Sequence, residues 1–255
     1  MGGIIAKNLR ENKNFSSCNF LVLKPSESNK INNLPYIDNL NKLPQNYIVD
    51  IVFICIKPQE SKTILEEFAQ AKIFHKDTIF ISILAGKNLN FFSKIFGSKK
   101  QIVRSMPNLA IEVNQGIIPY IHKNLSTENK KIIAEIFANF GTAFEVKDEK
   151  LFHVLTALYG CGPAYIFLMQ KIFFDIAISH KIPAEIAYDL TKKLFLGSAL
   201  LSSQSALDFS KMIENVASKK GVTEASLENL LKNNKLHKLI SKSSKNGINR
   251  SKKLQ

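Results

Sequence analysis

The stretch Thr156-Ala157-Leu158-Tyr159-Gly160-Cys161-Gly162-Pro163-Ala164-Tyr165 divides the chain into two kinds of sequence. Before it, short apolar runs alternate with helix-like segments. After it, only helical patterns follow. Two glycines and a proline stand at the mouth of a long apolar helix that reaches Ser179. Glycine lets a backbone turn sharply or come close to another molecule. Proline suits the first turn of a helix, where its missing N–H is no loss. The stretch therefore reads as a hinge between two domains, or as a hinge whose helix N-terminus holds an anionic group.

The first half sets out its elements in order. Residues 3–12 read as a helix with Ile4, Ile5 and Leu9 on one face. Residues 18–24 read as a short buried strand closed by Pro25-Ser26. Residues 47–56 form an apolar run interrupted only by Asp50, the pattern of a strand covered on both faces. A helix over 60–72, a buried strand over 77–85, a helix over 89–96 and strands over 101–105 and 117–121 follow. Ser126 opens a helix with capping chemistry, and 142–146 is a last strand. Strands alternating with helices imply a parallel, doubly wound (Rossmann-like) α/β sheet. The second half reads as helices over 149–179, 183–203, 209–217, 223–232 and 236–245. Their dense apolar faces need a partner, so the second half is expected to be an all-α dimerisation domain. The expected division is residues 1–149 and 150–255.

Composition narrows the function classes. At 45% hydrophobic, 255 residues are enough for a buried core. Cys18, Cys55 and Cys161 form no metal-ligand spacing and no obvious pairing, so no metal is expected and a reducing, cytoplasmic location is. No charged-then-apolar leader is visible after Met1. The apolar segment 154–179 is broken by Pro163, Lys171 and Asp175, and is read as a buried helix rather than a membrane span. The net charge is +14, and 232–253 carries eight Lys/Arg with no acid. Nucleic acid or an anionic membrane would explain that, but no aromatic interleaving accompanies it. A solvated helix face within a lysine-rich chain explains it as well, and neither partner is expected.

A doubly wound nucleotide fold opens with a strand, a Gly-x-Gly-x-x-Gly turn and a helix. This chain opens at the helix, and Met1-Gly2-Gly3-Ile4-Ile5 reads as the tail of that turn, with Gly2 in the third glycine's place. The first strand, central in the usual order, would lie upstream of Met1. Its loss would leave two neighbours unpaired, at about 1–3 kcal/mol for each unmade buried hydrogen bond. The total exceeds a usual net stability of about 5–15 kcal/mol. Residues 1–255 alone are thus expected to be inactive.

Six runs then carry a resemblance. They are Ile54-Cys55-Ile56-Lys57-Pro58-Gln59, Ser82-Ile83-Leu84-Ala85-Gly86, Val103-Arg104-Ser105-Met106-Pro107-Asn108, the 156–165 stretch, Asn215-Val216-Ala217-Ser218-Lys219-Lys220-Gly221-Val222-Thr223, and Arg250-Ser251-Lys252-Lys253-Leu254. In this order and spacing the chain resembles the pyrroline-5-carboxylate reductases, which reduce a cyclic imine to proline. The resemblance implies a nicotinamide dinucleotide and 1-pyrroline-5-carboxylate as substrate, in a homodimer or higher homo-oligomer; the preference for NADP(H) over NAD(H) is expected from Lys24 and Ser26. It implies a cofactor crevice lined by Gly2, Cys55, Ile56, Lys57, Pro58, Ile83, Leu84 and Ala85, with Asn215 reaching in from the helical domain. Lys24 and Ser26 stand where NAD-preferring sites carry an acid, and suit a 2′-phosphate. The substrate carboxylate falls to Ser218, Gly221, Val222 and Thr223. Thr223 is the one residue given a catalytic role, and also the expected N-cap of the helix that follows. Lys57 and Lys24 read equally as solvated lysines. The histidines (His75, His122, His153, His180, His237) share no motif and are read as structural or solvated.

The departures from the family pattern gather at the site. Lys219 and Lys220 replace Pro-Gly in the substrate loop, Val222 replaces a threonine, and Tyr159 and Cys161 replace serines. Lysine at 220 is strained if the backbone there needs a positive φ. Four readings follow: a working reductase, an inactive or decaying reductase-like protein, a basic binding protein, and a related dehydrogenase for another small acid.

Overall fold

The computed structural model describes residues 1–23, 34–44, 46–59 and 61–254. Lys24 and Ser26 lie outside the described residues. By compactness the chain forms two units, Met1–Cys161 with Gly247–Gln255, and Gly162–Asn246.

The first unit opens with helix α1 (Gly2–Glu11), which buries Ile5 and Leu9, one turn apart. Strands β1 (Val22–Leu23) and β2 (Tyr36–Ile37) pair in parallel as a small sheet of their own. Then come β3 (Val49–Ile54), α2 (Ser61–Ala69), β4 (Phe74–Ser82), α3 (Leu89–Phe96), β5 (Gln101–Ser105), β6 (Gly116–Lys123), α4 (Thr127–Ala138) and β7 (Gly141–Glu145). The main sheet runs β3-β4-β5-β6-β7. Successive strand residues face opposite ways. Ile79, Ile81 and Val103 join one core with Ile5, Ile133 and Phe137, and Phe80 and Ile102 join another with Leu65 and Phe92. Helices thus cover both faces, as a doubly wound sheet requires. The helix ends follow sequence chemistry: Asn88 caps α3 through Phe91 N–H at 2.8 Å, and Ser126 caps α4 through Asn129 N–H at 3.1 Å.

Three features differ from expectation. The sheet is mixed, because β6 runs antiparallel to β5. Only a short 3₁₀ turn, Leu109–Val113, joins them, and a parallel return needs a crossover of a dozen or more residues. The buried strand expected over 18–24 shrinks to β1, with Leu23 42% exposed. The run expected to be covered on both faces, β3, pairs only with β4 among the described residues and is half-buried over most of its length. Among the described residues β1 and β3 lie in separate sheets.

After β7 the chain turns helical. A 3₁₀ turn (Glu149–Leu151), α5 (Phe152–Leu155) and a π-turn (Thr156–Gly160) lead to the unit boundary after Cys161. The positive-φ glycines are Gly86, Gly97 and Gly141, so Gly160 and Gly162 do not turn the chain as expected. Helical backbone continues through them, and π-turns of this kind absorb an extra residue without a break. This segment is tied to the sheet by Arg104, which is 3% exposed. Its guanidinium lies 2.7 Å from Glu149 and stacks 4.4 Å over the Phe152 ring. Glu149 Oε1 also accepts the Leu89 N–H at 2.9 Å. Burial pulls the Arg104 pKa down, and Glu149 pulls it back up.

The second unit is helical: α6 (Gly162–Ser179), α7 (Ala184–Gln204), α8 (Phe209–Val216), α9 (Val222–Leu231) and the larger part of α10 (Lys235–Lys253). Edge-to-face pairs Phe173–Phe195 and Phe174–Tyr188 join α6 to α7. The buried helix expected over 154–179 is not buried in a single chain: α6 has no buried residue, and Phe167, Leu168, Leu190 and Leu201 are exposed. By length and composition alone, Glu149–Ser179 is long and apolar enough to cross a membrane.

Removing Glu149 would leave a buried guanidinium unpaired and the Leu89 N–H without its acceptor. Glu149→Ala should destabilise the first unit by about 3–5 kcal/mol. Thermal unfolding should register a fall on the order of 10 °C; an unchanged melting temperature would refute the role given to this pair.

Candidate functional site

In open α/β sheets, ligands bind outside the carboxyl ends of the strands. At that edge of the first unit, Ile83 N–H donates to the Ile54 carbonyl at 3.2 Å. This bond sets residues 55–58 beside residues 83–85. Leu84 is buried and its N–H reaches Ser82 Oγ at 3.2 Å. Ser61 Oγ donates to the Pro58 carbonyl at 2.8 Å, fixing the loop that carries Lys57. Ile56 and Pro58 are half-buried, and Lys57 is exposed at the rim.

The first turn of α1 closes this edge. A Cβ on Gly2 would stand 2.8 Å from Cys55 Cβ, so only glycine lets the helix start lie against the end of β3. Among the described residues no side chain caps the α1 N-terminus, and N–H groups at a helix start suit an anion. Burial pushes the Cys55 thiol up to about 12, with the N-terminal amine opposing more weakly. Cys55 is thus a neutral wall of the crevice and not a nucleophile.

The remaining expected residues lie in the second unit. Asn215 lies in the last turn of α8, which Asp208 caps through the Lys211 N–H at 2.9 Å. Gly221 N–H donates to the Ser218 carbonyl at 3.0 Å, closing a turn whose third residue, Lys220, has φ +59°. A Cβ on Gly221 would meet Ser218 Oγ and lie 2.9 Å from its carbonyl oxygen. Gly221, not Thr223, is the N-cap of α9, so the capping role expected of Thr223 is displaced. Thr223 is the second helical residue, and Val222 before it is 86% exposed. The Ser218–Gly221 turn ends in extended backbone at Gly221, and helical backbone begins at Val222. Glu224 accepts the Lys220 N–H at 2.6 Å, placing a carboxylate beside the same helix end. An open cavity of about 880 Å³ is bounded here by Lys211, Asn215, Ala217, Lys219, Glu224 and Leu231.

Sequence reasoning missed the roles of Arg104, Asn108 and Leu254. Asn108 Oδ1 accepts the N–H groups of Ala110 and Ile117, and Nδ2 donates to the Tyr159 carbonyl, each at 3.2 Å. The Arg-Ser-Met-Pro-Asn run is therefore a brace between sheet and helical segment. A charge inside an apolar strand signals a buried pair, but nothing local names Glu149 as its partner.

Residues 149–254 match the family model for pyrroline-5-carboxylate reductase dimerisation. The pyrroline-5-carboxylate reductase of Aquifex aeolicus is 30% identical over 175 residues, 68% of this chain and 64% of that protein. The Haemophilus influenzae enzyme of the same name is 28% identical over 81% of this chain and 77% of its own length. A solved structure of Plasmodium falciparum pyrroline carboxylate reductase with NADP bound superposes with a TM-score of 0.88 at 25% identity, covering 100% of this chain and 94% of that one. The chain belongs to the pyrroline-5-carboxylate reductase family. It spans just under two thirds of the A. aeolicus relative's length.

Family membership sharpens the reading of residues 218–221. The reductases' Ser-Pro-Gly-Gly is a turn signature, with Pro at the second position and Gly where φ is positive. This chain makes the turn with Lys219-Lys220 instead. An L-residue at positive φ is strained by about 1–2 kcal/mol, and glycine's larger unfolded-state freedom returns part of that. Lys220→Gly should therefore raise stability by up to about 1 kcal/mol in denaturant titration; a loss of stability would contradict the turn geometry.

Proposed function

We propose that this protein reduces 1-pyrroline-5-carboxylate to L-proline with hydride from a nicotinamide dinucleotide, NADPH in preference to NADH. The observation that carries the reading is the crevice where Gly2 lies against Cys55 beside residues 83–85. It sits at the carboxyl ends of parallel strands, next to an uncapped helix N-terminus. That donor set fits a dinucleotide: N–H groups for phosphate, apolar walls for the nicotinamide half, and no competing thiolate. The relatives named as this reductase, and the NADP held by the Plasmodium protein, support it.

The cofactor, when bound, supplies the hydride. The substrate's protonated imine already carries its nitrogen proton, so hydride addition at carbon completes the amine without a protein acid. The chain's own task is to bind, orient and exclude water. Ile56, Pro58, Ile83, Leu84 and Ala85 form the dry wall, and Lys57 at the rim screens phosphate charge. Asn215 makes a polar contact with the cofactor. Gly221 N–H, Val222 N–H and the Thr223 N–H and hydroxyl take the substrate carboxylate at the start of α9, beside Ser218. The exposed apolar faces of α6 and α7 are covered by a second copy. We place the protein in the cytoplasm, with neither nucleic acid nor membrane as a partner.

One observation favours a second reading, a reductase-like protein without turnover. Among the described residues the sheet is open between β1 and β3, and the crevice rests on β3. The test is NADPH oxidation with pyrroline-5-carboxylate, run on Met1–Gln255 and on a version with a strand and Gly-x-Gly turn fused ahead of Met1. Substrate-dependent oxidation is expected from the fused form and little from the shorter one. Absence from both overturns the proposed reaction, and full turnover by the shorter chain overturns the second reading. In the active form, Lys24→Asp should shift preference toward NADH; unchanged preference would remove Lys24 from the phosphate site.

A further inference from the structure

The crevice turn is held from an unexpected direction. Gly86 ends the 83–85 turn with φ +79°, and a Cβ placed on it would lie 2.5 Å from Leu254 Cβ and 2.7 Å and 2.9 Å from the Leu254 carbonyl carbon and oxygen. Only a residue without a side chain lets the backbone at 254 rest there. That backbone is itself anchored. Leu254 N–H donates to the Ser251 carbonyl at 3.3 Å. Ser251, 4% exposed, pairs its Oγ with Nδ1 of His153, 7% exposed, at 2.9 Å. A Cβ on Gly247 would sit 3.1 Å from Ala157 Cβ, so the same helix end packs on the π-turn as well. Residues 247–254 thus return to the first unit after the whole of the second has been traversed.

We propose that His153, Ser251 and Leu254 are positioning residues for the dinucleotide: they clamp Gly86 and so fix residues 83–85 against the crevice. Among the described residues, that turn has otherwise two backbone N–H ties, Ile83 N–H to the Ile54 carbonyl and Leu84 N–H to Ser82 Oγ. A glycine at positive φ next to them is free to move unless something rests on it. The clamp makes cofactor affinity depend on a buried histidine that touches neither cofactor nor substrate. This rests on the cofactor reading above, and the experiment separates the two.

Ser251→Ala, His153→Phe and His153→Asn would be compared in the full chain, by deuterium exchange across 82–86, NADPH affinity and melting temperature. Ser251→Ala and His153→Phe should speed exchange across 82–86 and weaken NADPH binding about three- to tenfold. His153→Asn, which keeps a polar atom near the place of Nδ1, should recover most of both. Wherever turnover is measurable, KM for NADPH should rise with kcat unchanged at saturation. A merely structural role would lower the melting temperature and speed exchange throughout the unit, with affinity unmoved, and would overturn the proposal. Unchanged exchange across 82–86 in Ser251→Ala would overturn it too. If neither Met1–Gln255 nor the fused form binds NADPH, the cofactor reading fails, and faster or unchanged local exchange then decides the clamp alone.

Discussion

The Glu149 carboxylate is the tie on which the rest of the first unit depends. It meets the Arg104 guanidinium at 2.7 Å and accepts the Leu89 N–H from the start of α3. Arg104 is buried in a strand whose other residues are all buried, and a charge there needs a partner with good geometry. Glu149 can reach it only if the chain after β7 folds back over the sheet. That return brings Phe152 over the guanidinium, sets Tyr159 where Asn108 can hold its carbonyl, and sets His153 where Ser251 can pair with it. One ion pair thus holds the helical segment 149–161 on the sheet and, through His153, the end of α10 that belongs to the same unit.

The parts of this plan that were legible in sequence are those set by local rules. Helix α3 and strand β5 fall on the expected residues, and α4 starts behind Ser126 as its capping chemistry predicts, because such signals act over a few positions. The parts that were not legible depend on contacts far along the chain. The direction of β6 is decided by the shortness of the 109–113 turn, which periodicity does not register. Gly160 and Gly162 suggest a sharp turn by composition, yet their backbone stays helical because Asn108 and the π-turn hold it so. Gly2, Gly86 and Gly221 are the glycines whose missing Cβ matters in the two candidate sites, through Cys55, Leu254 and Ser218, and the first two of these partners are far away in sequence.

The open edge of β3 is where pattern and place disagree. A run such as Ile51-Val52-Phe53-Ile54, without charge or proline after Asp50, carries none of the devices that protect an edge strand. It is built for the middle of a sheet. The residues before β1 share a core with it, since Phe20, Ile51 and Phe53 all pack on the same cluster. Yet the two sheets are separate. The crevice rests on the carboxyl end of β3, so its rigidity is tied to whether that edge is paired.

The departures from the family pattern separate along the same physical line. Scaffold positions keep Arg104 and Asn108, which make buried polar contacts, and Gly86, whose missing Cβ leaves room for Leu254. The changed positions, Lys219 and Lys220, lie in an exposed turn where the backbone tolerates strain. Glu224 fixes that turn by accepting the Lys220 N–H, so a negative charge already stands at the start of α9. An arriving carboxylate would meet that charge at the same helix end. The two lysines supply the opposite charge, and neither proline nor glycine could. The loop has therefore lost the turn residues that make its backbone easy and gained the cations that offset its own glutamate. Helix dipole, glutamate and lysines all act within the first turn of α9, where such terms are each worth about 0.3–1 kcal/mol. The balance among them, more than any one substitution, sets how well this loop receives an anion.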